Sequence, residues 1–289
     1  MTIPSRTSQF TFQTDWVEGR GIFLILAFYL GGLGAGLYII SLYFNFFAGM
    51  VTGFLIVLIG KSGSHLIYLG KPLRAWRGFA KPQTSWISRG LIAILIFLIP
   101  AALQLGAMLP WLPWTGDNLA LQVFVFIGAF ALMAYTGFAL SAVRAIPAWN
   151  TSMMPVLFIT YSILGGAGLG MGILALVQNT VNMHLLETIV TWMLIIVAIL
   201  MGIYLWATYY TTTAGNRSVI EMIKGRASPF FLGGVVVLGM IVPICVGVIS
   251  LTTGNVSPVV ISIASVCELM GGFSMRYSIF KAGVYAPLV

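Results

Sequence analysis

Long runs of apolar residues, separated by short polar segments, dominate the chain. Eight of the runs are long enough to cross a bilayer, because a helical span needs about 20 mostly apolar residues. None alternates in the manner of a barrel strand, and an open backbone cannot satisfy its polar groups in hydrocarbon. The pattern therefore predicts an all-α integral membrane protein with eight transmembrane helices. They cover residues 21–44, 48–70, 86–108, 119–143, 152–177, 185–209, 230–251 and 256–277.

Two glycine-rich stretches suggest how the spans are grouped. Residues 31–36 have the sequence GGLGAG in the first span, and residues 165–170 have GGAGLG in the fifth. An internal repeat would give two four-helix bundles, residues 21–144 and 152–289, after a polar N-terminal arm at residues 1–20. Alternatively, both stretches are small-residue contacts between helices, which are common in membranes.

The composition agrees with lipid as the solvent of this chain. Hydrophobic residues make up 60% of the 289 residues, and charged residues make up 7%. A soluble domain is nearer half apolar and about a quarter charged. The two cysteines have no partner at iron–sulfur or zinc spacing, so no cluster or metal site is predicted.

Basic residues are distributed very unequally between the two sides of the predicted bundle. An even number of spans places both termini on one side, and the short loops of that side contain all but one of the 14 lysines and arginines. The positive-inside rule then predicts that both termini are cytoplasmic. The exception, Lys61, lies within a span. The residues counted on the basic side are Arg6, Arg20, Lys71, Arg74, Arg77, Lys81, Arg89, Arg144, Arg217, Lys224, Arg226, Arg276 and Lys281.

Residues 65–90, HLIYLGKPLRAWRGFAKPQTSWISRG, form the most polar segment between two spans. The segment begins with His65, contains five basic residues and ends near Trp86 and Arg89. This density of charge in so apolar a chain predicts a loop at the membrane edge that meets a ligand or a partner. Arg89 alone is typical of a helix start or a lipid-headgroup contact, unless it lines a site together with Trp86. Trp111 and Trp114 are typical of the aromatic belt at the other face.

Ionisable residues inside a span are costly, so they are candidate functional residues. Lys61 and His65 are one helical turn apart on one face. At a rise of about 1.5 Å per residue, Lys61, Tyr135 and Glu268 lie at a similar depth, about 12 Å below the basic surface, with His65 above them. Simpler interpretations remain open: a buried Lys61–Glu268 ion pair, a packed tyrosine, and an interfacial histidine.

The two histidines argue against a haem group in this chain. Haem b needs two axial ligands at one depth, whereas His65 lies near the basic side and His184 near the other. We therefore expect no haem, and we expect the chain to bind a diffusible carrier close to a redox centre of another protein.

Three stretches resemble the NrfD/PsrC family, the membrane anchors of polysulfide-reductase-type enzymes, which are related to dimethyl-sulfoxide-reductase anchors. They are residues 65–90, residues 135–158 from YTGF through PAWN to MPVLF, and Glu268 with the following GG and RY pairs. The resemblance implies a bacterial or archaeal cell membrane and a complex of three subunits. It implies a molybdenum or tungsten catalytic subunit, a four-cluster iron–sulfur subunit, and this anchor, which would bind a quinone, menaquinone or ubiquinone.

The resemblance also implies roles for single residues. Tyr135 matches the tyrosine at the quinone headgroup, and His65 matches the histidine assigned to quinol chemistry. Where the related anchors have a glutamate, this chain has Gly90. The hypothesis is therefore that Tyr135 and His65 bind the carbonyls, Lys61 and Glu268 relay protons or tune the potential, and Trp86 and Arg89 form the mouth.

Other functions and orientations stay open on the sequence. Family members commonly carry their partners on the outer face, at the side of the termini, whereas the charge rule favours the cytoplasm here. The basic loops would dock an acidic iron–sulfur subunit or bind anionic lipid. A rival hypothesis is a small-solute or ion transporter with Lys61 and Glu268 as its coupling site. A third is a passive anchor of the same family.

Overall fold

The protein is described from a computed structural model, which covers residues 10–108, 118–177, 183–254 and 256–286. The predictions for Trp111 and Trp114 lie outside the described residues. Within those ranges, eight helices are long and apolar enough to cross a membrane, and they confirm the predicted spans to within a few residues. In chain order, they are span 1 (Gly21–Tyr43), span 2 (Phe47–Leu69), span 3 (Trp86–Ala107), span 4 (Leu119–Ser141), span 5 (Met153–Leu176), span 6 (Met183–Thr211), span 7 (Pro229–Thr253) and span 8 (Pro258–Lys281).

Two spans depart from a regular α-helix. Span 2 widens into one π-helical segment, Ile56–Lys61, and the Ser62 hydroxyl donates to the carbonyl of Val57, 3.2 Å away. Span 7 is π-helical over Pro229–Ile241 and becomes α-helical from Val242. Pro243 has no N–H to donate to the preceding turn, which accounts for the interrupted hydrogen bonding where the π-helical segment ends. Segments of this kind occur often at functional sites, and the segment in span 2 ends at Lys61.

The spans contact one another in two rings that share a broad interface. Spans 1 to 4 each contact the next, and span 4 returns to span 1; spans 5 to 8 do the same. Spans 1 and 4 also pack against span 5, so the rings are not separated by lipid. The division into two bundles remains a prediction, because the contacts within and between the rings are both extensive.

The two glycine-rich stretches meet at the interface between spans 1 and 5. A Cβ atom added at Gly166 would overlap the carbonyl carbon of Gly36, and one added at Gly36 would overlap the carbonyl oxygen of Ser162. The two backbones are therefore in direct contact, as is typical of small-residue crossings in membranes. This contact explains glycines such as Gly36 and Gly166 whether or not the two stretches also mark a repeat.

A short helix that the hydropathy pattern did not predict connects spans 6 and 7. The helix Thr213–Lys224 begins at Thr212, whose side chain accepts a hydrogen bond from the N–H of Gly215 at 2.9 Å. On one face of this helix, the side chains of Val219 and Met222 are buried, whereas Arg217 and Lys224 are exposed. It is amphipathic and not apolar, so it lies along the basic end of the bundle and does not cross the membrane.

The described part of the N-terminal arm is fixed to the same end of the molecule. Phe12 forms an antiparallel bridge with Val284, and the Ala286 N–H donates to the carbonyl of Ala145 at 2.8 Å. Trp16 and Trp149 lie 5.4 Å apart between ring centroids, and the Trp149 indole donates to a carbonyl of span 8 at 2.9 Å. Residues 10–20, the loop after span 4 and the C-terminal segment thus form one packed cap.

Candidate functional site

A cavity of about 710 Å³ opens at the basic end between spans 2 and 3. Its walls are aromatic and apolar, and its rim carries four basic side chains from the loop between those spans. Predicted site residues His65, Trp86 and Tyr135 all line it. The cavity is also lined by Trp16, Phe28, Leu66, Lys71, Arg74, Arg77, Lys81, Ile87 and Leu95.

Local sequence signals shape the mouth of this cavity. Span 2 ends at Gly70, whose φ of 66° lies in the left-handed region that glycine adopts without strain. Pro72 then begins a 3₁₀ helix, Pro72–Phe79, that crosses the opening. Ser85 caps span 3 by accepting a hydrogen bond from the N–H of Ser88 at 3.4 Å. The loop is therefore held at both ends, with its basic residues around the rim.

The inner end of the cavity is a cluster of rings. The Phe28 ring lies 5.8 Å from the His65 ring and 5.8 Å from the Tyr135 ring, both in edge-to-face arrangements. A Cβ atom at Gly90 would overlap Cζ of Tyr135. Any larger residue at position 90 would therefore displace that ring. Gly90 therefore leaves the space that the Tyr135 ring occupies.

Lys61 lies behind these rings and does not line the cavity. Its side chain is 1% exposed, and Nζ is 5.4 Å from the centre of the Tyr135 ring and 6.0 Å from that of Phe28. Gly31 in span 1 leaves room for the ammonium, since a Cβ there would lie 2.8 Å from Nζ. The lysine thus faces the electron-rich sides of two rings that separate it from the cavity.

Two polar side chains, His65 and Tyr135, line the inner end of the cavity. The Tyr135 hydroxyl forms no hydrogen bond within the described ranges of the chain, although its ring is packed on two sides. Nδ1 of His65 is buried without a hydrogen-bond partner among the described residues, so this nitrogen faces the protein and the rest of the imidazole ring faces the cavity. A ligand could therefore contact the Tyr135 hydroxyl and the cavity side of the His65 ring.

Trp86 and Arg89, which the sequence predicts as the mouth, have different positions. Trp86 lines the cavity and stacks on Phe138, with ring centroids 5.6 Å apart and planes at 5°. Arg89 is exposed and lies over the Trp86 ring, with its guanidinium carbon 4.5 Å from the ring centre. It also donates to the carbonyls of Pro82 and Gln83, at 2.9 Å and 2.7 Å. Arg89 therefore holds the loop and does not line the cavity.

Glu268 is not part of this cluster. Its carboxylate lies against Gly165 and Gly168 of span 5, and Glu268 does not line the large cavity. Among the described residues the ion pair is Arg226–Glu221 at 2.9 Å, so the suggested Lys61–Glu268 pair is not formed. The residue count along each helix predicts depth, but which neighbour a side chain faces depends on helix rotation.

Arg276 also differs from expectation. The charge count assigns it to the basic surface, whereas the structure buries it inside span 8 at 1% exposure. Its guanidinium donates to the Gly272 carbonyl at 3.0 Å and to the Ser162 hydroxyl at 3.1 Å, between the rings of Tyr29 and Phe158. The Gly271–Gly272 pair of the motif thus belongs to a packed, polar interior. The signal for this buried site in the sequence was the spacing of Arg276, four residues after the second glycine of the Gly271–Gly272 pair.

Comparison with known proteins connects this geometry with a family. The family model described as polysulphide reductase, NrfD, matches residues 19–287. Protein NrfD of Escherichia coli is 25% identical, over 96% of this chain and 98% of its own length. One of the chains of polysulfide reductase from Wolinella succinogenes is 29% identical over 56% of this chain and 53% of its own length.

A third relative is more similar over a shorter range. It is a subunit of the sulfite dehydrogenase of Allochromatium vinosum, 31% identical over 39% of this chain, and the match covers 37% of that subunit's length. The family model covers all eight spans. The chain therefore belongs to the polysulphide reductase NrfD family.

Proposed function

We propose that this chain is the membrane subunit of an oxidoreductase complex and that it binds a quinone in the large cavity. In this proposal it passes electrons between the membrane quinone pool and an iron–sulfur subunit, which serves a molybdenum or tungsten catalytic subunit. The family membership supports a membrane subunit of a redox complex, since two relatives are named as components of a polysulfide reductase and of a sulfite dehydrogenase.

The observation that carries the proposal is the inner end of the cavity. A quinone has a flat ring with a carbonyl on each side. The imidazole of His65 and the hydroxyl of Tyr135 provide two polar contacts beside the edge of Phe28. The volume of about 710 Å³ is within the usual range for small-molecule sites, about 300–1,000 Å³. The residues present therefore fit a quinone headgroup.

The side of the cavity offers a path for an isoprenoid tail. Three apolar side chains line the cavity and are also exposed on the outer surface of spans 2 and 3: Leu66, Ile87 and Leu95. An apolar chain attached to a headgroup at Tyr135 would leave the protein between these side chains. The headgroup would enter by the same route, directly from the lipid.

The bound quinone would supply two-electron, two-proton redox chemistry. Tyr135 would donate a hydrogen bond to one carbonyl, and His65 would bind the other and transfer a proton at that oxygen. The Lys61 ammonium, 5.4 Å from the Tyr135 ring centre, would stabilise negative charge as it develops at the inner end. Trp16 and Trp86 would exclude water at the mouth.

The basic rim is the proposed docking face for the iron–sulfur subunit. Lys71, Arg74, Arg77 and Lys81 surround the cavity mouth, so a partner docked there would lie directly above the headgroup. Opposite charge on the partner would steer it to this end of the molecule. The positive-inside rule favours the cytoplasm for this face.

The site assignment is tested with Tyr135→Phe and His65→Ala in the assembled complex. Loss of one hydrogen bond to the headgroup costs about 0.5–1.5 kcal/mol, so we expect about a threefold to tenfold loss of bound quinone and of quinone-linked turnover. Quinone extracted from the purified complex and donor-dependent quinone reduction are the two measurements.

The matched control is Tyr43→Phe, the same chemical change at an exposed tyrosine at the end of span 1. It should leave both measurements unchanged. If Tyr135→Phe and His65→Ala assemble normally and retain wild-type quinone content and turnover, the cavity is not the quinone site.

A further inference from the structure

We propose that a second polar path, separate from the quinone cavity, carries protons from the face opposite the basic loops to Glu268 through one bound water. The path lies among spans 6, 7 and 8. It does not depend on the quinone assignment, because no residue that lines it also lines the large cavity.

The first observation is a small enclosed cavity beside Glu268. Its volume is about 20 Å³, and a single water needs about 10–15 Å³ on this measure. A bound water also needs two to four polar partners, and oxygen-bearing side chains from three spans surround this space. The polar residues that line it are Glu187, Thr191, Ser250, Ser265 and Glu268.

The second observation is the unsatisfied carboxylate at the inner end of the cavity. Glu268 is 3% exposed, and its Oε2 has no hydrogen-bond partner among the described residues. A buried carboxyl group without a partner is costly. Oε2 itself is closed off by span 5, and a water in the cavity that Glu268 lines would supply a partner to the other oxygen of this carboxyl group. Span 5 is shaped around this group, because a Cβ atom at Gly168 would overlap Oε2.

The third observation is the connection to the membrane surface. Oε2 of Glu187 accepts a hydrogen bond from the Ser250 hydroxyl at 3.0 Å. Glu187 lies near the beginning of span 6 and Ser250 near the end of span 7, both at the face opposite the basic loops. Glu268 lies ten residues into span 8 (268 minus 258), about 15 Å along the helix. The polar groups thus extend from that face towards the middle of the membrane.

The proton transfer along this path is simple to balance. A proton from water at the outer end binds the Glu187 carboxylate and passes through the Ser250 hydroxyl and the bound water to the Glu268 carboxylate. Glu187 returns to its ionised form as Glu268 becomes a neutral acid, and no electron moves. Among the described residues, the charged and titratable groups on the other side of Glu268, towards the basic end, are Tyr29, Tyr161 and the Arg276 that interacts with both of them.

Infrared spectroscopy of the full chain in lipid nanodiscs tests the proposal. Transfer into deuterated buffer shifts the C=O band of a protonated carboxyl group, and Glu268→Gln identifies the band that belongs to Glu268. Ser250→Ala and Glu187→Gln each remove a link, so we expect deuterium exchange at Glu268 to slow by about tenfold.

Two comparisons make the test specific. Ser262→Ala removes a serine hydroxyl from span 8, the span that contains Glu268, but outside this cavity. It should not change the rate of deuterium exchange at Glu268. Tyr29→Phe alters the basic side of the path and should also leave the rate unchanged. Exchange that is slowed by Tyr29→Phe and not by Glu187→Gln would overturn the proposal, as would equal rates in all variants. A band that responds to sodium and not to deuterium would overturn it in favour of a cation site.

Discussion

At the scale of single residues, the inner end of the site depends on a buried lysine and the aromatic rings around it. The Lys61 Nζ lies 5.4 Å from the centre of the Tyr135 ring and 6.0 Å from that of the Phe28 ring. Phe28, which helps to separate Lys61 from the cavity, carries no polar atom and offered no signal. Glu268 faces span 5 and does not line the cavity, because a residue count along a helix does not determine the rotation of that helix about its axis.

Replacement of Lys61 by methionine should stabilise the protein while impairing the site. The ammonium is buried without an acidic partner among the described residues, and a buried polar group of this kind costs about 1–3 kcal/mol. Methionine has a similar length and an apolar end. We expect a higher unfolding temperature, measured by tryptophan fluorescence in detergent, together with slower quinone-linked turnover.

The control for this change is Lys224→Met at an exposed lysine of the connecting helix. It should leave both unfolding temperature and turnover unchanged. A lower unfolding temperature for Lys61→Met alone would show that the buried lysine has a stabilising partner.

At the scale of helices, the hydropathy pattern predicted the number and position of the spans and little about their faces. Most spans are apolar all the way round, since lipid and the protein interior both favour hydrophobic residues. In spans 2 and 7, most residues are not fully buried within the protein. Inner faces are therefore marked by small residues, of which the glycines of spans 1 and 5 are the clearest example, and by a few buried polar side chains such as Lys61, Glu268 and Arg276.

The crossing of spans 1 and 5 should tolerate no added atom. Gly166→Ala would place a methyl group against the Gly36 carbonyl carbon, and overpacking of this kind costs about 1–3 kcal/mol. We expect a lower unfolding temperature. Gly202→Ala is the matched control, because nothing lies within 4 Å of the added methyl group in span 6. Equal unfolding temperatures for the two variants would contradict the close contact.

At the scale of the whole molecule, charge and the candidate site are concentrated at one end. The cavity mouth, the connecting helix, residues 10–20 and the C-terminal segment all lie there. The charge asymmetry along the sequence predicted this arrangement correctly for the loops. It failed for Arg276, because a count of charges cannot distinguish a loop arginine from one buried by Ser162 and two aromatic rings.

The orientation in the membrane is predicted by the positive-inside rule and can be measured. After replacement of Cys245 and Cys267 by alanine, a single cysteine is introduced at Thr84 on the basic side or at Ser257 on the other; both positions are exposed. A membrane-impermeant maleimide added to intact cells should label Ser257→Cys and not Thr84→Cys. The reverse pattern would place the basic face, and any partner docked on it, outside the cytoplasm.

The π-helical segment of span 2 has a consequence for comparing this chain with its relatives. A π turn holds one more residue than an α-helical turn, so residues 56–61 contain an insertion that the fold absorbs without a loop. A relative whose second helix is regular would have one residue fewer before the lysine. An alignment without a gap at this point would pair Lys61 and His65 with neighbours of their true equivalents. Residues with the same chemical role in the two proteins would then be counted as different.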